Sequence, residues 1–254
     1  MRFLALIPAR YASTRFPGKP LAILNEKPII QHVYERVSKE FEHAYVVTDD
    51  DRIAQTVEQF GGKFIMTGTH HKSGTDRCNE ALTKLGIENF DVVVNIQGDE
   101  PFIHHSQLQA IKQCFNHSNV QIATLIKPFD KNDSIDVLEN PNSPKVVVSN
   151  TGTALYFSRS VIPYLRNIEK SQWLESHVFY KHIGLYAYTV QTLQEITQMP
   201  IGELEQAESL EQLRWLQAGY IIQTAVTNIE TIGIDTPEDL EKAKIWIQNN
   251  QQGK

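Results

Sequence analysis

The sequence predicts an α/β protein with a doubly wound, largely parallel sheet. Two observations carry this prediction. Short apolar segments alternate with amphipathic helical segments from the start of the chain. Residues 91–96 are apolar at nearly every position, which is typical of a central parallel strand buried on both faces. With 254 residues, 41% of them hydrophobic, the chain can bury a substantial core.

The first half of the chain repeats a strand-helix unit. Strands are predicted at residues 2–7, 44–48, 63–66 and 91–96, and helices at 29–41, 51–60, 75–85 and 106–115. Three consecutive aspartates, Asp49 to Asp51, stand where the second helix begins. We interpret them as a favourable charge cluster at a helix N-terminus rather than as a metal site.

The second half of the chain is less regular. Strands are predicted at 121–127, 145–149, 154–158, 182–189 and 221–226, helices at 204–218 and 239–248, and a polar loop at 130–144. No linker is long enough to mark an independent domain. We therefore expect one domain, residues 1–254, with a mixed-sheet insertion within 128–190.

Composition excludes several functional classes. A formal net charge of -6 argues against a broad nucleic-acid or anionic-membrane surface. The apolar run that starts at Phe3 is stopped by Pro8 and Arg10, so it is too short for a signal peptide. Cys78 and Cys114 lack metal-ligand spacing. We expect a soluble cytoplasmic protein.

The loop after the first strand concentrates positive charge. Arg10, Arg15 and Lys19 fall within ten residues at the carboxyl end of that strand, where open α/β sheets bind ligands. Together with the hydroxyl of Ser13 they could bind a triphosphate. The loop lacks the glycine spacing of a P-loop or a dinucleotide fingerprint, and a solvated basic loop is the competing interpretation.

Two acidic motifs stand out, and the residues of the first could hold a cation. Asp99 lies in a Gln-Gly-Asp-Glu-Pro turn directly after the central strand, where a hard cation could bridge to phosphate, although an acidic turn also explains the motif. Asp235 and Glu238 fit an Asp variant of the capping box with Pro237 at the helix start, so capping alone could explain this segment.

The remaining candidates are less specific. Residues 73–77, Ser-Gly-Thr-Asp-Arg, open a helix and could face an anion, or Ser73 could simply cap that helix. Two histidine pairs, which begin at His70 and His104, lack helical ligand spacing and a companion carboxylate, so surface roles are favoured over zinc. Polar side chains suited to a polyhydroxylated carboxylate stand later in the chain, although core or surface roles also explain them: Arg159, His182, Tyr186, Glu211 and Gln212.

Together these motifs resemble those of the cytidylyltransferases that act on 3-deoxy-manno-octulosonate (Kdo). Four segments carry the resemblance, and they occur in the same order as in the family: residues 10–19, 73–77, 95–101 and 233–240. The sequence departs from the family pattern at Asp76, which replaces Glu, at Lys181, where Arg is common, and at Pro144.

The resemblance implies a fold, an activity and a site. The fold is that of the nucleotide-diphospho-sugar transferases. The activity is transfer of the cytidylyl group of CTP to the anomeric hydroxyl of Kdo, giving CMP-Kdo and pyrophosphate for lipopolysaccharide biosynthesis. It implies Mg²⁺ on Asp99 and Asp235, with Arg15 and Lys19 stabilising the leaving pyrophosphate. Nucleotide contacts are implied for Pro8, Ala9, Arg10, Ser13, Arg15, Lys19, Ser73, Gly74, Thr75 and Arg77, and Kdo contacts for Gln97, Arg159, His182, Tyr186, Glu211 and Gln212.

The family also implies a homodimer. The irregular middle segment is a candidate for the dimer interface and for the region that binds the acceptor. Three alternatives stay open. The acceptor could be another acidic sugar such as sialic acid, or the chain could be a related nucleotidyltransferase for a sugar phosphate. The chain could also be a CTP-binding regulator without turnover.

Overall fold

A computed structural model describes residues 1–117, 119–230 and 233–251. The strands are β1 (Phe3–Pro8), β2 (Ile23–Leu24), β3 (Lys27–Pro28), β4 (His43–Thr48), β5 (Phe64–Met66), β6 (Val92–Asn95), β7 (Ile122–Pro128), β8 (Lys145–Val148), β9 (Ala154–Ser158), β10 (Tyr180–Thr189) and β11 (Ile222–Val226). The α-helices are α1 (Ile29–Val37), α2 (Asp51–Gln59), α3 (Gly74–Leu85), α4 (His105–Cys114), α5 (Ile135–Glu139), α6 (Trp173–Ser176), α7 (Val190–Thr197), α8 (Glu203–Glu208), α9 (Gln212–Gln217) and α10 (Pro237–Gln251).

The chain folds into two compact units. One consists of Met1–Leu108 together with Glu230–Lys254, and the other of Gln109–Ile229. The prediction of a single domain with an insertion within 128–190 stays a prediction. Among the described residues, none of the helices combines the length and apolar character needed to cross a bilayer.

The first unit contains a parallel sheet in the order β6-β1-β4-β5. Leu4, Leu6 and Ile7 of β1 are fully buried, and all four residues of β6 are buried. This two-sided burial explains why these segments read as continuous apolar runs. The predicted α/β class with a largely parallel sheet is confirmed. Because the strands are parallel, the residues that follow β1, β5 and β6 emerge at one edge of the sheet.

The second unit contains a mixed sheet. β11 runs parallel to β7, whereas β10 is antiparallel to β7 and to β8, and β8 is antiparallel to β9. The register of β10 shifts between Ile183 and Tyr186. A separate apolar cluster is built from Phe129, Leu138, Trp173, Leu174 and Phe179. The mixed sheet expected in the less regular half of the chain is therefore present.

One predicted helix, residues 204–218, is wrong as a single element. The structure has two short helices, α8 and α9, separated at Ser209, whose φ of 51° is left-handed. Arg159 explains the break, because its guanidinium donates to the main-chain oxygens of Glu208 and Ser209 at 2.6 and 3.2 Å. These carbonyl oxygens accept hydrogen bonds from a side chain that is remote in sequence, instead of from main-chain nitrogens of a further helical turn.

Candidate active site

A cleft of about 270 Å³ lies in the first unit, at the edge where β1, β5 and β6 end. Twelve predicted site residues line it: Pro8, Ala9, Arg10, Ser13, Arg15, Lys19, Ser73, Gly74, Arg77, Gln97, Asp99 and Asp235. Thr75 does not line the cleft and is buried within α3. The cleft also contains Pro20, His71, Lys72 and Gly98, which were not predicted. His71 and Lys72 directly precede the Ser73 motif, and this adjacency is the sequence feature that could have identified them as cleft residues.

Lys19 is the centre of a charge network in this cleft. Its Nζ atom lies 2.5 Å from Oδ2 of Asp99 and 3.0 Å from Oδ1 of Asp235. Arg15 pairs with the other oxygen of Asp235 at 3.2 Å. Burial alone would lower the pKa of Lys19, but the two carboxylates outweigh it and raise this pKa above its ordinary value. Lys19 is therefore a fixed cation.

The cap of α10 corrects the interpretation of Asp235. Thr236, not Asp235, precedes the first helical residue, and its Oγ1 accepts a hydrogen bond from the main-chain nitrogen of Asp239 at 3.2 Å. In return Oδ2 of Asp239 accepts from the main-chain nitrogen of Thr236 at 3.1 Å. The capping box is thus Thr236 with Asp239, one position later than predicted with Glu238. The carboxylate of Asp235 is left to face Lys19 and Arg15.

Main-chain contacts bring the two acidic motifs together. The main-chain nitrogen of Ile234 donates to the main-chain oxygen of Asp99 at 3.0 Å. Ile234 is fully buried in an apolar cluster with Leu24, Ile29, Leu240 and Ala243.

A Cβ atom at Gly98 would lie only 2.7 Å from the main-chain oxygen of Pro8, so the turn needs glycine to pass the end of β1.

The basic loop has its own internal support. Gly18 is left-handed, with φ of 71°, and its main-chain nitrogen donates to the oxygen of Tyr11 at 2.9 Å. The ring of Tyr11 lies below the guanidinium of Arg52, whose central carbon is 3.3 Å from the ring centroid. The Oγ atom of Ser13 accepts from the main-chain nitrogen of Phe16 at 3.3 Å. These contacts hold a loop that presents Arg10 and Arg15 to the cleft.

Helix α3 fixes the opposite wall of the cleft. Ser73 and Asp76 form a complete capping box, so the capping interpretation of Ser73 is confirmed, and Ser73 also lines the cleft. Arg77 is 4% exposed, donates to Oγ1 of Thr67 and lies 2.9 Å from a carboxylate oxygen of Asp49. Arg77 therefore ties α3 to the ends of β4 and β5.

The other predicted acceptor residues lie in the second unit. His182 contacts Oγ1 of Thr124 at 3.0 Å, and burial lowers the pKa of His182 to about 3. Burial and the nearby Glu211 raise the pKa of Tyr186 well above its usual value, so its hydroxyl keeps its proton. Helix α9, which carries Glu211 at its N-cap, packs against Tyr186 through Trp215.

Two more of these residues differ in how they are held. Arg159 is anchored by Glu208 and Ser209 and also donates to the main-chain oxygen of Pro141 at 2.8 Å. The side chain of Gln212 is buried, and its Nε2 atom has no hydrogen-bond partner among the residues the structure describes. This amide is therefore an exception to the rule that buried polar groups are hydrogen-bonded.

Comparison with known proteins gives consistent results. A model of a family described as Cytidylyltransferase matches residues 4–248. A 3-deoxy-manno-octulosonate cytidylyltransferase of Phocaeicola vulgatus is 60% identical over 251 residues, 99% of each chain. An 8-amino-3,8-dideoxy-manno-octulosonate cytidylyltransferase of Shewanella baltica is 44% identical and covers 96% of this chain and 98% of its own.

A solved structure agrees with these relatives. The chain superimposes on a CMP:2-keto-3-deoxy-manno-octonic acid synthetase complexed with CTP, with a TM-score of 0.90 and 42% identity, over 98% of this chain and all of the other. The family model, the sequence relatives and the superposition all cover nearly the whole chain. The chain therefore belongs to the cytidylyltransferase family, among the 3-deoxy-manno-octulosonate cytidylyltransferases.

Proposed function

We propose that the chain transfers the cytidylyl group of CTP to the anomeric hydroxyl of Kdo and releases pyrophosphate. One observation carries the proposal: Lys19, Asp99 and Asp235 meet in a cleft lined by further cations, in a chain that is 60% identical to a relative of that name. In the reaction, the anomeric hydroxyl oxygen of Kdo forms a bond to the α-phosphorus of CTP and loses its proton to solvent. The bond from the α-phosphorus to the oxygen that bridges it to the β-phosphorus breaks, and that oxygen leaves with the pyrophosphate.

Asp99 and Asp235 are suited to hold Mg²⁺. Both carboxylates lie within hydrogen-bond distance of one nitrogen, so they already converge on a common cation position. Carboxylate oxygens are the ligands that this hard ion prefers, and the cap of α10 does not use the carboxylate of Asp235. When bound there, Mg²⁺ supplies positive charge that offsets the charge of the triphosphate.

Arg15 and Lys19 act on the phosphates. Both are paired with carboxylates in the cleft, and both sit on the loop that follows β1. Phosphate oxygens accept the same charge-assisted hydrogen bonds as carboxylates. We expect the two cations to exchange their carboxylate partners for phosphate oxygens and to stabilise the charge that develops on the leaving pyrophosphate.

The acceptor contacts follow from the chemistry of Kdo. Gln97 in the cleft is proposed to hydrogen-bond the sugar. In the second unit, the unpartnered amide of Gln212 and the neutral hydroxyl of Tyr186 suit sugar hydroxyl groups, and Arg159, His182 and Glu211 complete the proposed set. Because the pKa of His182 is about 3, it would act as a neutral hydrogen-bonding group.

We further propose a cytoplasmic homodimer that serves lipopolysaccharide biosynthesis. The support is the resemblance to the family, together with the need for CTP as a substrate. Light scattering on the purified chain should give twice the monomer mass of 29.0 kDa. A mass that stays at the monomer value over a wide concentration range would reject the dimer and leave the catalytic proposal untouched.

The decisive experiment measures pyrophosphate release and identifies the nucleotide sugar by mass. CTP and Mg²⁺ are combined with Kdo, with 8-amino-3,8-dideoxy-manno-octulosonate or with sialic acid. We expect CMP-Kdo as the product and loss of turnover in the Asp99→Asn variant. Turnover only with another acceptor would replace the substrate assignment. Tight CTP binding without turnover on any acceptor would favour a regulator.

A further inference from the structure

A group of metal-ligating side chains lies beside the cleft and outside the proposed magnesium site. His70, His71 and Glu80 each offer one ligand atom, and these atoms all lie within 4.8 Å of one another. The two imidazole rings are 4.3 Å apart between centroids, with an angle of 38° between their planes. The sequence favoured surface roles for this histidine pair, because no companion carboxylate was recognised near it. The structure supplies that carboxylate from Glu80, in the second turn of α3.

The carboxylate of Glu80 is held in place by neighbouring groups. The main-chain nitrogen of Gly68 donates to its two oxygens at 3.2 and 3.0 Å, and Lys84 pairs with Oε1 at 2.8 Å. A main-chain donor behind a ligating carboxylate is the usual outer support of a metal site.

The three side chains differ in how easily they could rearrange around an ion. His71 makes a close contact with Glu80 through Nε2, and its side chain is 9% exposed. His70 is exposed, and the side chain of Lys84 is 48% exposed. Lys84 also donates to the main-chain oxygen of Met66 at 2.7 Å, so it has a second partner when the carboxylate takes a cation.

We propose that His70, His71 and Glu80 form a second cation site, specific for Zn²⁺ or a similar imidazole-binding ion. Two imidazoles and one carboxylate are a ligand set that zinc takes in proteins, with a fourth position left for water or another ligand. Mg²⁺ prefers oxygen ligands, so this site and the Asp99–Asp235 pair differ in the ions they select. His71 also lines the cleft, so an ion held here would lie at its wall.

The test is a titration of the full, metal-free chain in excess Mg²⁺. Zinc binding is followed by calorimetry, and Co²⁺ binding by its visible absorption spectrum. We expect one equivalent of Zn²⁺ and the intense spectrum of four-coordinate cobalt. His70→Asn and Glu80→Gln should each weaken zinc binding at least about tenfold. Since His70 is exposed, His70→Asn decides the matter even if Glu80→Gln folds poorly.

The chain provides a matched control. His104 and His105 form a second adjacent pair with ring centroids also 4.3 Å apart. They belong to no three-ligand group among the residues the structure describes. The double variant His104→Asn/His105→Asn should therefore bind zinc like the wild type. The proposal is overturned if the wild type takes up no zinc saturably, or if His70→Asn binds zinc as tightly as the wild type does.

Discussion

The Nζ atom of Lys19 lies 3.0 Å from Oδ1 of Asp235, a residue 216 positions later in the chain. The same nitrogen lies 2.5 Å from Oδ2 of Asp99. One ammonium group therefore pairs with two carboxylates that come from segments far apart in the sequence. Removing the side chain of Lys19 takes this ammonium partner away from both carboxylates, and the first prediction follows from this coupling.

Lys19→Met should lower kcat/KM for pyrophosphate release by roughly 10²- to 10³-fold, as expected when a preorganised charge at a transition state is lost. The measurement is steady-state kinetics with CTP and Kdo. Lys39→Met, which removes an exposed cation outside the cleft, serves as the control and should stay close to the wild type. Equal losses in the two variants would show that general charge, not the position of Lys19, matters.

Asp235→Asn and Thr236→Val should separate catalysis from capping. Thr236→Val removes the acceptor for the main-chain nitrogen of Asp239 and should destabilise the chain by about 1 kcal/mol in urea denaturation. Asp235→Asn should abolish magnesium-dependent turnover while costing less stability, because its ion pairs are half exposed. The reverse pattern, a large stability loss with normal turnover in Asp235→Asn, would restore the original capping interpretation of Asp235.

Gly98→Ala should destabilise the protein by about 1–3 kcal/mol, because the new methyl group meets the main-chain oxygen of Pro8 at 2.7 Å. Backbone cannot move aside as a flexible side chain can. Gly184→Ala is the matched control, since a Cβ atom there has no neighbour within 4 Å among the described residues. Thermal unfolding of both variants checks the prediction, which fails if they lose equal stability.

His182 should make stability depend on pH. Its pKa is lowered from 6.5 to about 3, so below pH 6.5 the unfolded chain gains a proton at this residue that the folded chain does not. Stability therefore falls as the pH decreases from 6.5 towards 3, by up to about 1.4 kcal/mol per pH unit.

The measurement is urea denaturation at a series of pH values between neutrality and mild acid. His182→Asn should flatten the curve in that range, although it also loses the contact with Thr124 at every pH. His105→Asn, at an exposed position, should leave the slope unchanged. If the wild type and His182→Asn have parallel curves, His182 does not remain neutral in the folded chain.

Local sequence was sufficient to predict which residues lie together at the edge of the sheet. Asp99 follows a buried strand and Lys19 follows another, and strand topology alone places such residues at one edge of the sheet. The one-residue error at Asp235 arose because Asp and Thr both cap helices, and only the geometry shows which hydroxyl or carboxylate is used. The helix break at Ser209 was missed for another reason. The side chain that causes the break, Arg159, is remote in sequence.

The return of the last segment to the first unit has a consequence during translation. A nascent chain that stops before residue 230 contains all the strands that the structure describes. It lacks Asp235, and it also lacks Ile234, Leu240 and Ala243 from the apolar cluster around Leu24. The carboxylate of Asp235 is thus synthesised last, together with apolar side chains that the core of the first unit needs. Messages truncated near their end should yield products that fail in folding and in catalysis at once, so no partly active fragment accumulates.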